Sequence, residues 1–499
     1  MDHIVNTKSG SLRGEQKNGY VQFLGVPFAK APLGELRFRR PQPVAWEGIR
    51  DAKNCGNFCF QPGNGDTSCK ALIPSEDCLH LNIYTPACDG KKRPVVVWIH
   101  GGAYLTGSNS NHTKDGGLMC VRNDIVVVPI QYRLGALGCV DFSLLSGANG
   151  RFDSNCGTWD QVEAVNWVIK NIESFGGDPN NITLMGESAG ACSVLTLMTT
   201  PYLKGKIKRA VMDSPAPHLI HTKENGYIAA KKVAAHLGVA EEEAWKIADI
   251  DAAILTKAVA EVEYNYVKDY PYLIPTAPVV DGNLIPELPY DAVMHGAADG
   301  IETLIGTTKD EATLFARNSD QDIFPATREN MDKFFADHPQ LDRKRIIALY
   351  SGKKELKIWQ EIGKEVFFHL PSIELADHLA KHSTVYVHHF DYVYPMLKLL
   401  GLGAVHCTNS TLTSGGEPEG LIKFLGLFSG EKGAKMQEYI HGYWCNFISS
   451  GDPNGDGMPE WPEYGESKNT LFLDIPCHVE QDPFGFIRDA YGEVRIYSN

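Results

Sequence analysis

Two short runs constrain this chain more than any other feature: Arg93-Pro94-Val95-Val96-Val97-Trp98-Ile99 and Asp124-Ile125-Val126-Val127-Val128-Pro129-Ile130. Each is strand-length, nearly unbroken in apolar side chains and rich in β-branched residues. Successive side chains of a strand face opposite ways, so a strand that is apolar throughout must be covered on both faces. Both runs fall far short of the ~18 residues needed to cross a bilayer, which leaves central strands between two layers of helices. The rest of the chain fits that demand. Val162, Val165, Ile169 and Ile172 recur at spacings of 3, 4 and 3, which marks one face of a helix. Residues 181–186 then read as a strand and 189–198 as a small-residue helix. Further strands are expected at 207–212, 302–307 and 384–390, and helices at 225–237, 328–337 and 373–381. This alternation predicts an α/β fold, a large central, mostly parallel mixed sheet with helices on both faces. Weaker strand patterning over 315–383 points to a helical cap region. No repeat and no linker divides the 499 residues.

Composition narrows the function classes. Hydrophobic residues make up 43% and charged residues 22%, which excludes disordered and fibrous classes. Lys and Arg number 47 against 61 Asp and Glu, a net charge of −14. With no compensating basic patch, nucleic acid is not expected as a partner. The start Met1-Asp2-His3-Ile4-Val5-Asn6 has none of the segments of a secretory signal. That predicts a cytoplasmic protein, or a secreted one if the N-terminus was trimmed. Twelve cysteines are too sparse for a disulfide scaffold, and free thiols are expected.

Gly186-Glu187-Ser188-Ala189-Gly190 lies where the 181–186 strand meets the 189–198 helix. Glycines on both flanks permit a sharp turn that holds Ser188 in a strained conformation, its hydroxyl above the sheet. The following helix points its N-terminal amides at charge developing there. Alone, the pentapeptide would also suit a plain glycine-rich turn; its place between strand and helix gives it weight. A serine nucleophile needs a base, and acyl transfer needs oxyanion donors. His100-Gly101-Gly102-Ala103 directly follows the 95–99 strand, and its small residues let backbone N–H groups approach a carbonyl. The acid and the histidine should follow the serine in chain order. Asp310 and Glu311, just beyond the 302–307 strand, are both candidates for the acid. Of 17 histidines, His388 and His389 fall inside the 384–390 strand, where a structural role fits better. His406, in the loop Gly401-Leu402-Gly403-Ala404-Val405-His406, is better placed as a base.

The chain resembles the type-B carboxylesterases, in the carboxylesterase/cholinesterase group of the α/β-hydrolase superfamily. Phe175-Gly176-Gly177-Asp178-Pro179-Asn180-Asn181-Ile182-Thr183-Leu184-Met185-Gly186-Glu187-Ser188-Ala189-Gly190 fits that family's nucleophile signature at every fixed position. Ser75-Glu76-Asp77-Cys78-Leu79-His80-Leu81-Asn82-Ile83-Tyr84-Thr85-Pro86 is similar to its second signature, with His80 where an aromatic residue or Thr is usual. Matches from Gly25-Val26-Pro27-Phe28-Ala29 to Gly451-Asp452-Pro453-Asn454 span nearly the whole chain. The resemblance implies one large domain over 1–499, with 315–383 a cap subregion within it. It implies Ser188 as nucleophile, Glu311 rather than Asp310 as the acid, and His406 as the base. It implies oxyanion donors at the N–H groups of Gly102, Ala103 and Ala189. The implied activity is hydrolysis of small-molecule carboxylic esters through an acyl-enzyme, with no metal and no organic cofactor. An amidase or peptidase on the same scaffold, or a non-catalytic binding relative, are the competing readings. Relatives that only bind lose the serine, and Ser188 is present.

Three departures from the family pattern carry expectations of their own. Ala103 replaces the commoner third glycine and adds a methyl at the wall of the alcohol site, which predicts short-to-medium acyl esters of primary alcohols. Asn409 stands three residues after His406, where a Glu is usual, and Thr411-Leu412-Thr413-Ser414-Gly415-Gly416 replaces an aromatic-rich stretch. Both departures bear on how rigidly the His406 loop is held, not on its presence. Residues 61–77 hold no aromatic side chain, so a cation–π site for a quaternary ammonium is not expected there. Finally, Cys59 and Cys78 resemble the first disulfide pair of secreted members, while the missing signal favours free thiols at both.

Overall fold

The computed structural model describes residues 2–63, 72–110, 116–270, 273–315, 328–413, 426 and 428–492. Among them, thirteen strands join in one sheet. These are β1 (Asp2–Thr7), β2 (Gly10–Gln16), β3 (Val21–Pro27), β4 (Ile49–Asp51), β5 (His80–Thr85), β6 (Arg93–Ile99), β7 (Val126–Ile130), β8 (Gly177–Glu187), β9 (Arg209–Asp213), β10 (Glu302–Thr308), β11 (Val385–Phe390), β12 (Asn469–Leu473) and β13 (His478–Gln481). The order is β1-β2-β3-β5-β7-β6-β8-β9-β10-β11-β12-β13, with β4 beside β2. The run from β7 to β12 is parallel, and antiparallel pairs close both flanks. This is the mixed α/β sheet that the apolar runs required.

β6 shows why. Val95, Val97 and Ile99 enter one core with Ile182, Leu184 and residues of the helices Cys156–Asn171 and Ala189–Thr199. Val96 and Trp98 enter the other with Met185, Val211 and the helix Gly430–Ser450. Each such side chain contributes about 1.5–3 kcal/mol when fully buried, so neither face can be left open.

Some boundaries differ from the sequence expectation. The second apolar run becomes strand only at Val126, because Asp124 (φ 55°) caps the helix Gly117–Asn123 at its C-terminal end. The helix expected at 373–381 runs over Leu370–Leu379 and continues from a π-helical turn at Glu365–His369. Cys55 is disulfide-bonded, which corrects the expectation of free thiols there. Cysteine density rules out a scaffold of bridges, but a single bond depends on Cα positions that only the fold sets. Cys59 and Cys78 are buried free thiols. No helix among the described residues is long and apolar enough to cross a membrane.

The parallel register places the site. Ile99 pairs with Gly186, Glu187 with Asp213, and Gly306 with both Asp213 and His388. The carboxyl ends of five adjacent strands therefore align at one edge, where open α/β sheets bind ligands.

Candidate active site

Ser188 stands between β8 and the helix Ala189–Thr199 at φ 56°, ψ −127°, a conformation that a residue with a Cβ rarely adopts. Its two flanking glycines make the turn possible. A Cβ on Gly186 would lie 2.4 Å from the Gly190 carbonyl carbon, and one on Gly190 would lie 2.2 Å from the Ile99 carbonyl oxygen. The Ser188 N–H donates to the Asp213 carbonyl at 3.0 Å, and the Ser188 carbonyl accepts from the Cys192 N–H at 3.0 Å. The elbow is thus fastened to β9 on one side and to the first helical turn on the other.

The loop after β6 is strained as well. Gly102, Ala103 and Tyr104 take φ values of 104°, 55° and 57°. Thr276 Oγ1 donates to the Ala103 carbonyl at 2.9 Å, and the Gly135 N–H donates to the Tyr104 carbonyl at 2.8 Å. With the carbonyls held, the N–H groups of Gly102, Ala103 and Ala189 donate to no described residue. His100 anchors the loop from below, stacked on Tyr132 at 4.4 Å with its Nδ1 2.9 Å from the Gly101 carbonyl. Burial lowers the His100 pKa to about 4. The ring is therefore neutral, donating through Nδ1 and accepting at Nε2 from Gln131 at 3.3 Å.

Glu311 is fully buried just beyond β10. Its Oε1 accepts from the Ser214 hydroxyl and the Thr308 N–H, both at 2.6 Å, and its Oε2 is hydrogen-bonded to His406 Nδ1. Burial pushes the Glu311 carboxyl up, but the imidazole and these donors outweigh it and hold the group below its usual range. Burial likewise works against the His406 imidazolium, yet its contacts with Cys407 and Glu311 raise its pKa well above 6.5. The Cys407 thiol is itself pushed up by burial to about 12 and stays protonated, so Glu311 is the charge responsible.

Asp310 faces elsewhere. Its Oδ2 accepts from the Ala404 N–H at 3.0 Å, and its own N–H donates to the Ala404 carbonyl at 2.9 Å. It clamps the base of the His406 loop, and a Cβ on Gly403 would lie 2.2 Å from that carboxylate. His388 and His389 stay within β11, against Asp213 at 3.2 Å and Asp391 at 2.5 Å. The loop is tied at its far end by Asn409, fully buried, whose Nδ2 donates to Asp213 Oδ1 at 3.1 Å. An amide reaching the end of β9 thus stands where a glutamate is usual. Residues 414–416 lie outside the described residues.

The structure thus joins Glu311 to His406 and sets Ser188 at the end of β8, with β9 between it and β10. The His406 ring packs against those of Phe315 and Phe368, centroids 5.2 and 4.7 Å from its own, and its Nε2 is buried. Its near neighbour is Glu187 Oε1 at 3.3 Å. Sequence reasoning missed Asp213, Ser214 and Thr308. The first two follow the 207–212 strand directly, and that placement at a strand end was the available signal.

Comparison with known proteins bears on the whole chain. A model described as the carboxylesterase family matches residues 1–484. The chain is 32% identical over 487 residues to the para-nitrobenzyl esterase of Bacillus subtilis (strain 168), covering 96% of each. It is 33% identical over 473 residues to the phenmedipham hydrolase of Pseudarthrobacter oxydans, covering 92% of each. A carboxylesterase of Geobacillus stearothermophilus solved at pH 6.2 superposes with a TM-score of 0.85 at 34% identity, over 98% of this chain and 99% of that one.

Proposed function

The chain belongs to the carboxylesterase family and is a serine carboxylic ester hydrolase, and from that premise we propose that Ser188, His406 and Glu311 carry the reaction. The observation that supports this most is the buried Glu311–His406 hydrogen bond beside the strained Ser188 turn. Glu311 fixes the imidazole with its proton on Nδ1, which leaves the Nε2 lone pair to take the Ser188 proton once the ring faces the hydroxyl. Attack by Ser188 Oγ on the ester carbonyl gives a tetrahedral oxyanion, held by the N–H groups of Gly102, Ala103 and Ala189. His406 then gives its proton to the departing alcohol. Water repeats the cycle on the acyl-enzyme and frees the acid.

Small-molecule esters with short-to-medium acyl chains are the proposed substrates, since the half-buried Ala103 methyl borders the oxyanion site. We take residues 1–499 as one catalytic domain. The helices Arg328–Asp337, Arg343–Ala348, Glu355–Lys364 and Leu370–Leu379 would be its cap region. Free thiols at most described cysteines support a reducing compartment such as the cytoplasm, with Cys55 the exception. A panel of p-nitrophenyl esters from acetate to palmitate, run on wild type and Ser188→Ala, tests the reading. Activity that falls with chain length and disappears in the variant is expected, and a variant as active as wild type would refute it.

A further inference from the structure

Around the Nε2 side of His406 lies a second grouping, of which the proposed ester hydrolysis uses only His406 itself. Glu187, His406 and Cys407 each offer one ligand atom, and these atoms all lie within 4.8 Å of one another. His406 is only 4% exposed, and its Nε2 has no hydrogen-bond partner. That nitrogen lies 3.3 Å from Glu187 Oε1. To the same oxygen the Cys407 thiol donates at 2.6 Å. An imidazole nitrogen, a thiol and a carboxylate are the donors of a site for a borderline-soft cation.

We propose that Glu187, His406 and Cys407 form an inhibitory binding site for a divalent cation of the zinc class. The inference rests on the reading of His406 as the base: a cation bound at Nε2 occupies the lone pair that would accept the Ser188 proton. Zinc–ligand distances of ~2.0–2.3 Å put tetrahedral ligand pairs ~3.3–3.7 Å apart. The His406–Glu187 separation already has that value. The Cys407–Glu187 separation is shorter because a proton bridges it, and binding must open it by about 1 Å at that geometry. On binding, the Cys407 S–H bond and, where the ring is protonated, the His406 Nε2–H bond break, their protons leave to solvent, and the thiolate sulfur and imidazole nitrogen bond the cation with no change of oxidation state. Water completes the coordination. The thiol supplies the selectivity, since magnesium and calcium prefer oxygen donors.

The test uses the full-length, chelator-treated enzyme with cobalt(II) and zinc as probes. Cobalt should bind at one ion per chain and give the near-ultraviolet charge-transfer band of a cobalt–thiolate bond. Zinc should displace the band and abolish p-nitrophenyl acetate hydrolysis, EDTA should restore it, and magnesium should do neither. In Cys407→Ser and Cys407→Ala, hydrolysis without metal should persist. The band should vanish, and zinc inhibition should weaken by more than the roughly 10- to 100-fold lost with a group that only hydrogen-bonds to a ligand. No band in wild type, or zinc inhibition unchanged in both variants, overturns the site. Ser188→Ala separates the two readings, because it should still bind cobalt with the same band. A band with undiminished wild-type hydrolysis overturns the inhibitory proposal by removing His406 as base, whereas an inactive Ser188→Ala without a band overturns the metal site alone.

Discussion

Asn409 Nδ2 donates to Asp213 Oδ1 at 3.1 Å, and this bond ties the loop that carries His406 to the end of β9, the strand to which the Ser188 elbow is fastened. The same aspartate accepts from Trp444 Nε1 at 3.1 Å, and its backbone carbonyl accepts the Ser188 N–H. Asp213 is therefore a shared anchor for nucleophile and base. Asn409→Ala should cost about 1–3 kcal/mol of stability by removing a donor from a buried carboxylate. It should also lower kcat between about 10- and 100-fold, as the His406 loop shifts. Asn409→Asp should be worse on both counts, because it sets a second carboxylate against Asp213 in a buried site. Urea melts and initial rates of the two variants check the order; equal stability for both would refute the anchor.

For the triad, Ser188→Ala and His406→Ala should each cost roughly 10⁴–10⁶ in kcat and leave a folded protein. Glu311→Gln should fall by about 10⁴. Its amide oxygen can still accept from Ser214 and Thr308, which turns the NH₂ towards His406 Nδ1 and drives the ring proton to Nε2. Asp310→Asn should be mild, since an amide oxygen can still accept from Ala404. Comparing kcat for the two conservative variants decides between the carboxylates, and the reverse order would move the acid to Asp310.

The direction of the His406 shift sets the pH profile. The base must be neutral, so activity should rise with pH through a midpoint above 6.5, not below it. Stability should move the other way. The raised His406 pKa contributes stability that is complete below about 6.5 and fades as pH rises through the raised value. Glu311, held low, contributes stability above its ordinary range near 4.5 that is lost as pH falls through the lowered value. Melting temperatures of wild type minus those of His406→Ala, measured across pH, should peak between the two. An activity midpoint below 6.5 would contradict the assignment.

Ala103→Gly should raise stability by about 1 kcal/mol, because φ 55° is strained for alanine and open to glycine. It should also favour tert-butyl over n-butyl acetate. Removing overpacking of about 1–3 kcal/mol changes a rate ratio by roughly 5- to 150-fold. The ratio of kcat/KM for the two esters, in both enzymes, isolates the effect. An unchanged ratio would place the boundary of the alcohol site elsewhere.

What the sequence determined by itself was whatever depends on neighbours along the chain. The 186–190 elbow was legible because its constraint is local: two glycines flank one serine between an apolar strand and a helix. The doubly covered strands were legible because residues 95–99 and 126–130 have no polar face to turn towards water. Asp310 and Glu311 could not be told apart from their order, since adjacent residues differ only in where the backbone sends them. In the fold, one clamps Ala404 and the other meets His406, 95 residues away. Asn409 meets Asp213 across 196 residues and Cys407 meets Glu187 across 220. Only the tertiary structure decided those pairs, because the parallel register of β8, β9, β10 and β11 fixes which strand ends lie side by side. Register is a property of the whole sheet, set by the burial of both its faces, and no spacing within a single segment encodes it.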